Sequence, residues 1–137
     1  MSILFRVVLV SALMGPALAF AQAPKEAVPS PAVQAEFDGF IAGFRKALKA
    51  NDAAAVAGMT KLPFMGDKNY SNAAQFQAKG YREFLPAKDR ACIQRKKAVY
   101  DRDGENNDSY YIFCGEQIFV FTRTPAGFLF TDISVND

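Results

Sequence analysis

The chain has 137 residues, 50% of them hydrophobic and 22% charged, with 16 basic against 14 acidic side chains. Those proportions belong to an ordinary globular protein and not to a disordered, collagenous or metal-cage chain. It contains no histidine, which removes the commonest general base, the commonest neutral metal ligand and every Ser-His or Cys-His couple.

Near the start, Arg6 is followed by an apolar run from Val7 to Leu13, the breaker Gly15-Pro16, and small residues leading to Ala19-Phe20-Ala21. This order is that of a secretory signal peptide over residues 1–21, cleaved after Ala21. The run is interrupted too early to span a bilayer, which takes about 20 apolar residues. The protein is therefore expected to be exported, to a periplasm or beyond, with no membrane span. Residues 22–30 include Pro24 and Pro29, lack periodicity and read as a flexible leader. Residues 31–137 suffice for one domain with one core.

Ser30 followed by Pro31 is a helix start: the serine oxygen accepts from an orphan amide, and proline loses no needed donor at the first helical position. Phe37, Phe40, Ile41, Phe44 and Leu48 then form one apolar stripe, so an amphipathic helix is predicted to end near Asn51. Asp52 can cap a short second helix over Ala53 to Met59. Leu62-Pro63-Phe64-Met65 reads as a short extended stretch before a Gly66–Asn69 turn. Ser71 is expected to cap a third helix over Asn72 to Lys79, restarting as Tyr81 to Leu85 before Pro86 stops it.

From about Ile93 the character changes. Strands are predicted at Gln94 to Asp101, Ser109 to Cys114, Gln117 to Thr122 and Phe128 to Val135, separated by turn-rich segments. Helices followed by closely connected strands imply an α+β fold, with N-terminal helices packed on a curved antiparallel sheet.

The Phe37-x-x-Phe40 to Leu48 helix, Asn51-Asp52 at the bend, Leu62-Pro63-Phe64, the middle helix reaching Phe84 and the closing hairpin Ile118 to Val135 together resemble the nuclear-transport-factor-2-like (cystatin-like, SnoaL-type) superfamily. The resemblance covers nearly the whole mature chain and is architectural. It implies a cone whose helices and sheet enclose a cavity holding a small ligand or an active site. No catalytic residue is carried over from it.

Cys92 and Cys114 are the only cysteines. In an oxidising compartment a disulfide is the leading expectation, with two separate buried thiols as the alternative. A catalytic thiol would lack an imidazole to activate it, and two cysteines cannot complete a zinc site here.

The final hairpin carries the most information. With a four-residue loop at Thr124–Gly127, Arg123 faces Phe128, Phe121 faces Phe130 and Phe119 faces Asp132, since opposed residues share a face. One face then holds Phe119, Phe121, Phe128 and Phe130, with Arg123 and Asp132 as charges at its two ends. The other holds Ile118, Val120, Leu129 and Ile133 with Thr122 and Thr131. A sheet apolar on both sides must cover both. Three outcomes are open for the aromatic face: sealed by the chain's own helices, hollow over a ligand, or bare for a protein partner or second copy.

Charge is unevenly spread. Arg82 to Arg102 holds seven basic residues against three acidic, whereas six acidic residues from Asp103 onward face Arg123 alone. A solvated surface is the plainer reading, and steering of a charged partner the sharper one. Nucleic acid is disfavoured, because the basic stretch lacks interleaved stacking aromatics. Asp101 to Asp108 is rich in oxygen ligands but lacks the closing glutamate of a calcium loop, and reads as a hairpin turn. No cofactor or metal is implied.

The leading functional expectation is an exported, non-catalytic binding protein for a small apolar ligand or a protein partner. The alternatives are a cavity enzyme using Tyr70, Tyr81, Asp67 or Asp132 for proton transfer, and an inhibitor or immunity-type protein.

Overall fold

In a computed structural model, which describes residues 26–137 together with Gly15, the regular structure starts where Ser30 meets Pro31. The signal-peptide reading of residues 1–21 and the first part of the leader fall outside the described residues. The Ser30 hydroxyl accepts from the Val33 amide at 3.2 Å and opens α1 (Pro31–Lys49). Phe37, Ile41, Phe44 and Leu48 are buried along its predicted stripe, and Phe40 is half-buried beside them. Asp52 caps α2 (Ala53–Gly58) through the Ala55 amide at 3.0 Å.

The next stretch departs from expectation. Pro63 keeps extended dihedrals, with ψ at 134°, but Phe64 and Met65 do not: Phe64–Gly66 and Lys68–Tyr70 are two short 3-10 turns, and the chain reverses at Met65 and Gly66, both with positive φ. The reversal buries Phe64 against Phe76, Phe84 and Phe130, with ring centroids 5.6, 5.0 and 4.8 Å away. Burial of this ring outweighs the local preference for extension. Asn72, not Ser71, caps the following helix, in a reciprocal arrangement with Gln75. That helix is continuous: α3 (Ala73–Gln75) passes through a π-helical stretch, Phe76–Gly80, into α4 (Tyr81–Phe84).

The sequence reading missed α5 (Ala87–Arg95), and part of its span was expected to be a strand from Gln94. Pro86 ends one helix and immediately precedes another. Among the apolar side chains of α5 only Cys92 and Ile93 are buried, too few to show a period. Partners elsewhere hold it in place. Arg45 of α1 donates to the Ile93 and Lys96 carbonyls at 2.9 and 2.7 Å, and Gln94 returns a bond to the Arg45 carbonyl at 2.6 Å. Cys92 and Cys114 form a disulfide, with Cα atoms 6.0 Å apart, that ties α5 to the sheet.

The first strand is accordingly short. β1 (Val99–Arg102), β2 (Asp108–Cys114), β3 (Gln117–Thr124) and β4 (Gly127–Val135) form an antiparallel meander in chain order, with the helices packed on it as an α+β fold. Phe130 of β4 also exchanges backbone hydrogen bonds with Met59 and Lys61, at 2.8 and 2.9 Å. The turn from Asp101 to Asp108 is a hairpin whose ligand-like oxygens are spent internally. Asp103 accepts from the Glu105 and Asn107 amides at 2.9 and 2.8 Å and from the Asn107 side chain at 3.1 Å.

The register of the last hairpin matches expectation at Arg123–Phe128 and Phe121–Phe130, then shifts. Phe119 pairs with Ile133, and Asp132 pairs with Val120. Thr131 is the extra residue of a β-bulge, and one extra residue moves every later side chain to the other face. Ile133 therefore packs against the core while Asp132 is exposed.

Candidate functional site

The four phenylalanines expected to form a binding face are sealed. Phe119, Phe121 and Phe130 have no exposed surface, and Phe128 is almost as deeply buried. Phe44 of α1 sits edge-on to Phe121 at 5.1 Å, and Phe37 edge-on to Phe128 at 5.3 Å. Phe37 also stacks flat on Tyr110, with centroids 3.6 Å apart, while the Tyr110 hydroxyl donates to Gln34 at 3.0 Å. The aromatic face is thus the hydrophobic core, because α1 supplies enough rings to fill the curve of the sheet. It offers no surface to a ligand or partner.

Arg123 and Asp132 do not share the aromatic face, although both border the groove on the outer side of the sheet. Arg123 reaches to the helical side, where its Nε donates to Glu36 at 2.8 Å, an exposed pair that closes the rim of the core. Asp132 has been carried by the bulge to the outer face, and its Oδ1 accepts from the Ile133 amide at 2.7 Å. The residues weighed for proton transfer are each engaged locally. Tyr70 donates to Glu83, Tyr81 donates to Asn51 at 2.8 Å, and Asp67 accepts from the Asn69 amide at 2.8 Å. The Glu83 hydrogen bond, with burial and nearby negative charge, raises the Tyr70 phenol to about 12.

What stays open is the opposite side of the sheet. Tyr111, Val120, Thr122, Leu129 and Thr131 floor a groove of about 730 Å³. Lys61, Arg123, Asp103, Glu105 and Asp132 contribute charge at its border. The hydroxyls of the floor form a cross-strand ladder: Ser109 to Thr122 at 3.1 Å, Thr122 to Thr131 at 3.0 Å, and Thr131 onward to the Val120 carbonyl at 3.3 Å. Its polar groups are thereby satisfied, and the half-buried Tyr111 and Leu129 are left as apolar contact area. Further along the same face, Val99 is 52% and Phe113 43% exposed. Burial raises the Tyr111 phenol, with Ser109 acting in the opposite direction. Asp103 is pushed up by burial but held below its ordinary value by the three donors that surround it.

The sequence had marked Val120, Leu129, Thr122 and Thr131 as the hairpin's second face. The adjacency of Tyr110 and Tyr111 in one strand means that only one of them can point into the core; that Tyr110 is that one, leaving Tyr111 on the outer face, depends on the β2–β3 pairing. Among the described residues no group of three or more acidic or cysteine side chains is placed to hold a metal ion. None of their helices is long and apolar enough to cross a membrane.

The chain matches no protein-family model, and no curated protein or solved structure is significantly similar to it.

Proposed function

We propose that this is an exported, non-catalytic binding protein of nuclear-transport-factor-2-like architecture that holds a small ligand with an apolar face in the outer groove of its sheet. The observation that carries the reading is the groove over Tyr111, Val120 and Leu129, whose size falls within the 300–1,000 Å³ or so of ordinary ligand sites. The long first helix laid into a four-strand meander supports the resemblance, and the cysteine pair suits an oxidising compartment. The charges at the groove's border supply orientation for a polar substituent.

The test is a metabolite and lipid screen on the mature protein by native mass spectrometry, with light scattering for its oligomeric state. A bound small molecule whose affinity is lost in Leu129→Lys, with the fold retained, supports the proposal. A strictly monomeric protein with a blank screen sinks it, and a dimer that dissociates in the same variant would replace the ligand with a second copy.

A further inference from the structure

A second groove, of about 450 Å³, lies where α4 and α5 meet the ends of β3 and β4, and it is independent of the outer groove. Its apolar walls are Phe84, Met65 and Ile133, and its carboxylates are Glu83 and Asp89. Phe84 is fixed by packing on Phe64 and Tyr70, with both centroids 5.0 Å away. Glu83 accepts from the Tyr70 hydroxyl through Oε2, which leaves Oε1 without that bond.

Asp89 is the unusual member. Its residue is only 7% exposed, and among the described residues its carboxylate has neither a hydrogen-bond partner nor an ion pair. Withdrawing a carboxylate from water without a partner is costly, and the first turn of α5 offsets only part of that cost. Among the described residues no fully buried side-chain oxygen lacks a partner, so the Asp89 carboxylate keeps some contact with solvent, between this groove and a neighbouring one that Arg95 and Lys96 also line. The groove thus combines a little-exposed carboxylate that has no hydrogen-bond or ion-pair partner with an aromatic ring, a thioether and an aliphatic wall. Among the described residues no group of three or more carboxylates is placed for a metal ion, and the apolar walls suit a hydrated cation poorly. An ammonium on an apolar body satisfies both halves: charge against Asp89 and Glu83, methylenes against Phe84, Met65 and Ile133. We infer that this groove is a binding site for a small organic ammonium compound. Lys88 also lines the groove, beyond ion-pair distance of either carboxylate, and acts as the chain's own competitor.

The experiment titrates n-hexylammonium, and separately hexanol, into isotope-labelled mature protein with its disulfide intact, following backbone amide shifts. The expected result is saturable shifts confined to Glu83–Asp89, Gln117 and Ile133 with the ammonium and none with the alcohol. Asp89→Asn should weaken binding at least tenfold, and Lys88→Gln should tighten it severalfold. Should Asp89→Asn fail to fold, Glu83→Gln takes its place with the same expected loss. Equal binding of hexanol, or an affinity unchanged by the carboxylate substitutions, would overturn the proposal. So would a Lys88→Gln protein that stays folded yet binds no ammonium.

Discussion

Phe119 lies opposite Ile133 and not opposite Asp132, and that single pairing decides which side of the sheet is greasy at its C-terminal end. The shift comes from Thr131, whose extra residue puts an aliphatic side chain under the helices and a carboxylate in solvent. Deleting Thr131 would remove the extra residue and leave Asp132 opposite Val120 and Ile133 opposite Phe119, so the variant should fold and lose only about 1 kcal/mol, chiefly the hydroxyl bond to Thr122, read from chemical denaturation. A deletion variant that loses about 3 kcal/mol or more, or fails to fold, would contradict this account of the register.

Gly80 sits within the π-helical stretch with the Phe76 ring against it, and a Cβ there would lie 2.9 Å from Phe76 Cδ2 and 3.2 Å from Tyr70 Cδ1. Alanine ordinarily strengthens a helix by about 1 kcal/mol over glycine. Here Gly80→Ala is expected to destabilise by about 1–2 kcal/mol, because both rings are buried and cannot move aside freely. Thermal unfolding would register it, and a raised melting temperature would contradict it.

The disulfide closes a loop between positions 22 apart in sequence. Chain-entropy arguments assign such a loop about 3 kcal/mol. Replacing both cysteines with alanine should lower the unfolding free energy by about that amount, read from chemical denaturation, while leaving the fold recognisable, since Arg45 still grips α5 through two carbonyls. A double variant as stable as the parent would mean the reduced chain is already constrained.

Two tyrosines should resist alkali longest. Burial first, and then the charge of Asp38, push Tyr110 up to about 12, and the Glu83 hydrogen bond does the same for Tyr70. A folded value above the unfolded value of about 10 means each contributes stability that is whole below pH 10 and fades as pH climbs toward 12. All five tyrosines are raised, so phenolate absorbance should show every one titrating late, with Tyr110 and Tyr70 the last; Tyr110→Phe and Tyr70→Phe should each remove one of the latest groups. Ordinary titration of all five tyrosines near pH 10 would refute this.

Asp103 runs the other way. Its folded value is depressed, so the stability it lends the β1–β2 hairpin is present above the ordinary carboxylate value near 4 and is lost as pH falls through the lower folded one. Asp103→Asn should lower stability at neutral pH and flatten the acid limb of the stability curve. An acid limb unchanged by the substitution would assign it to other carboxylates.

Much of the fold was legible because its signals are local. Ser30-Pro31 and the phenylalanine stripe define α1, and alternating residues between turn clusters define the four strands. The failures share a cause, which is that distant partners decided the outcome. α5 has almost no apolar period of its own and is held by Arg45 and Cys114. Phe64 leaves the extended state because three rings from other elements surround it, and the Thr131 bulge becomes visible only once β3 is alongside. The candidate site was less legible still. That the hairpin is apolar on both sides could be read from Phe119 to Ile133, but which side α1 would cover is a property of the assembled rings of Phe37, Phe44 and Tyr110.

The bond between Cys92 and Cys114 encloses the β1–β2 hairpin, whose tip from Gly104 to Asn106 is exposed. A protease that nicks this tip would leave two fragments shackled to one another. Non-reducing electrophoresis would still show one band, and only a reductant would release the pieces. In a compartment rich in hydrolases, a clipped molecule would keep its helices and its two grooves on one particle.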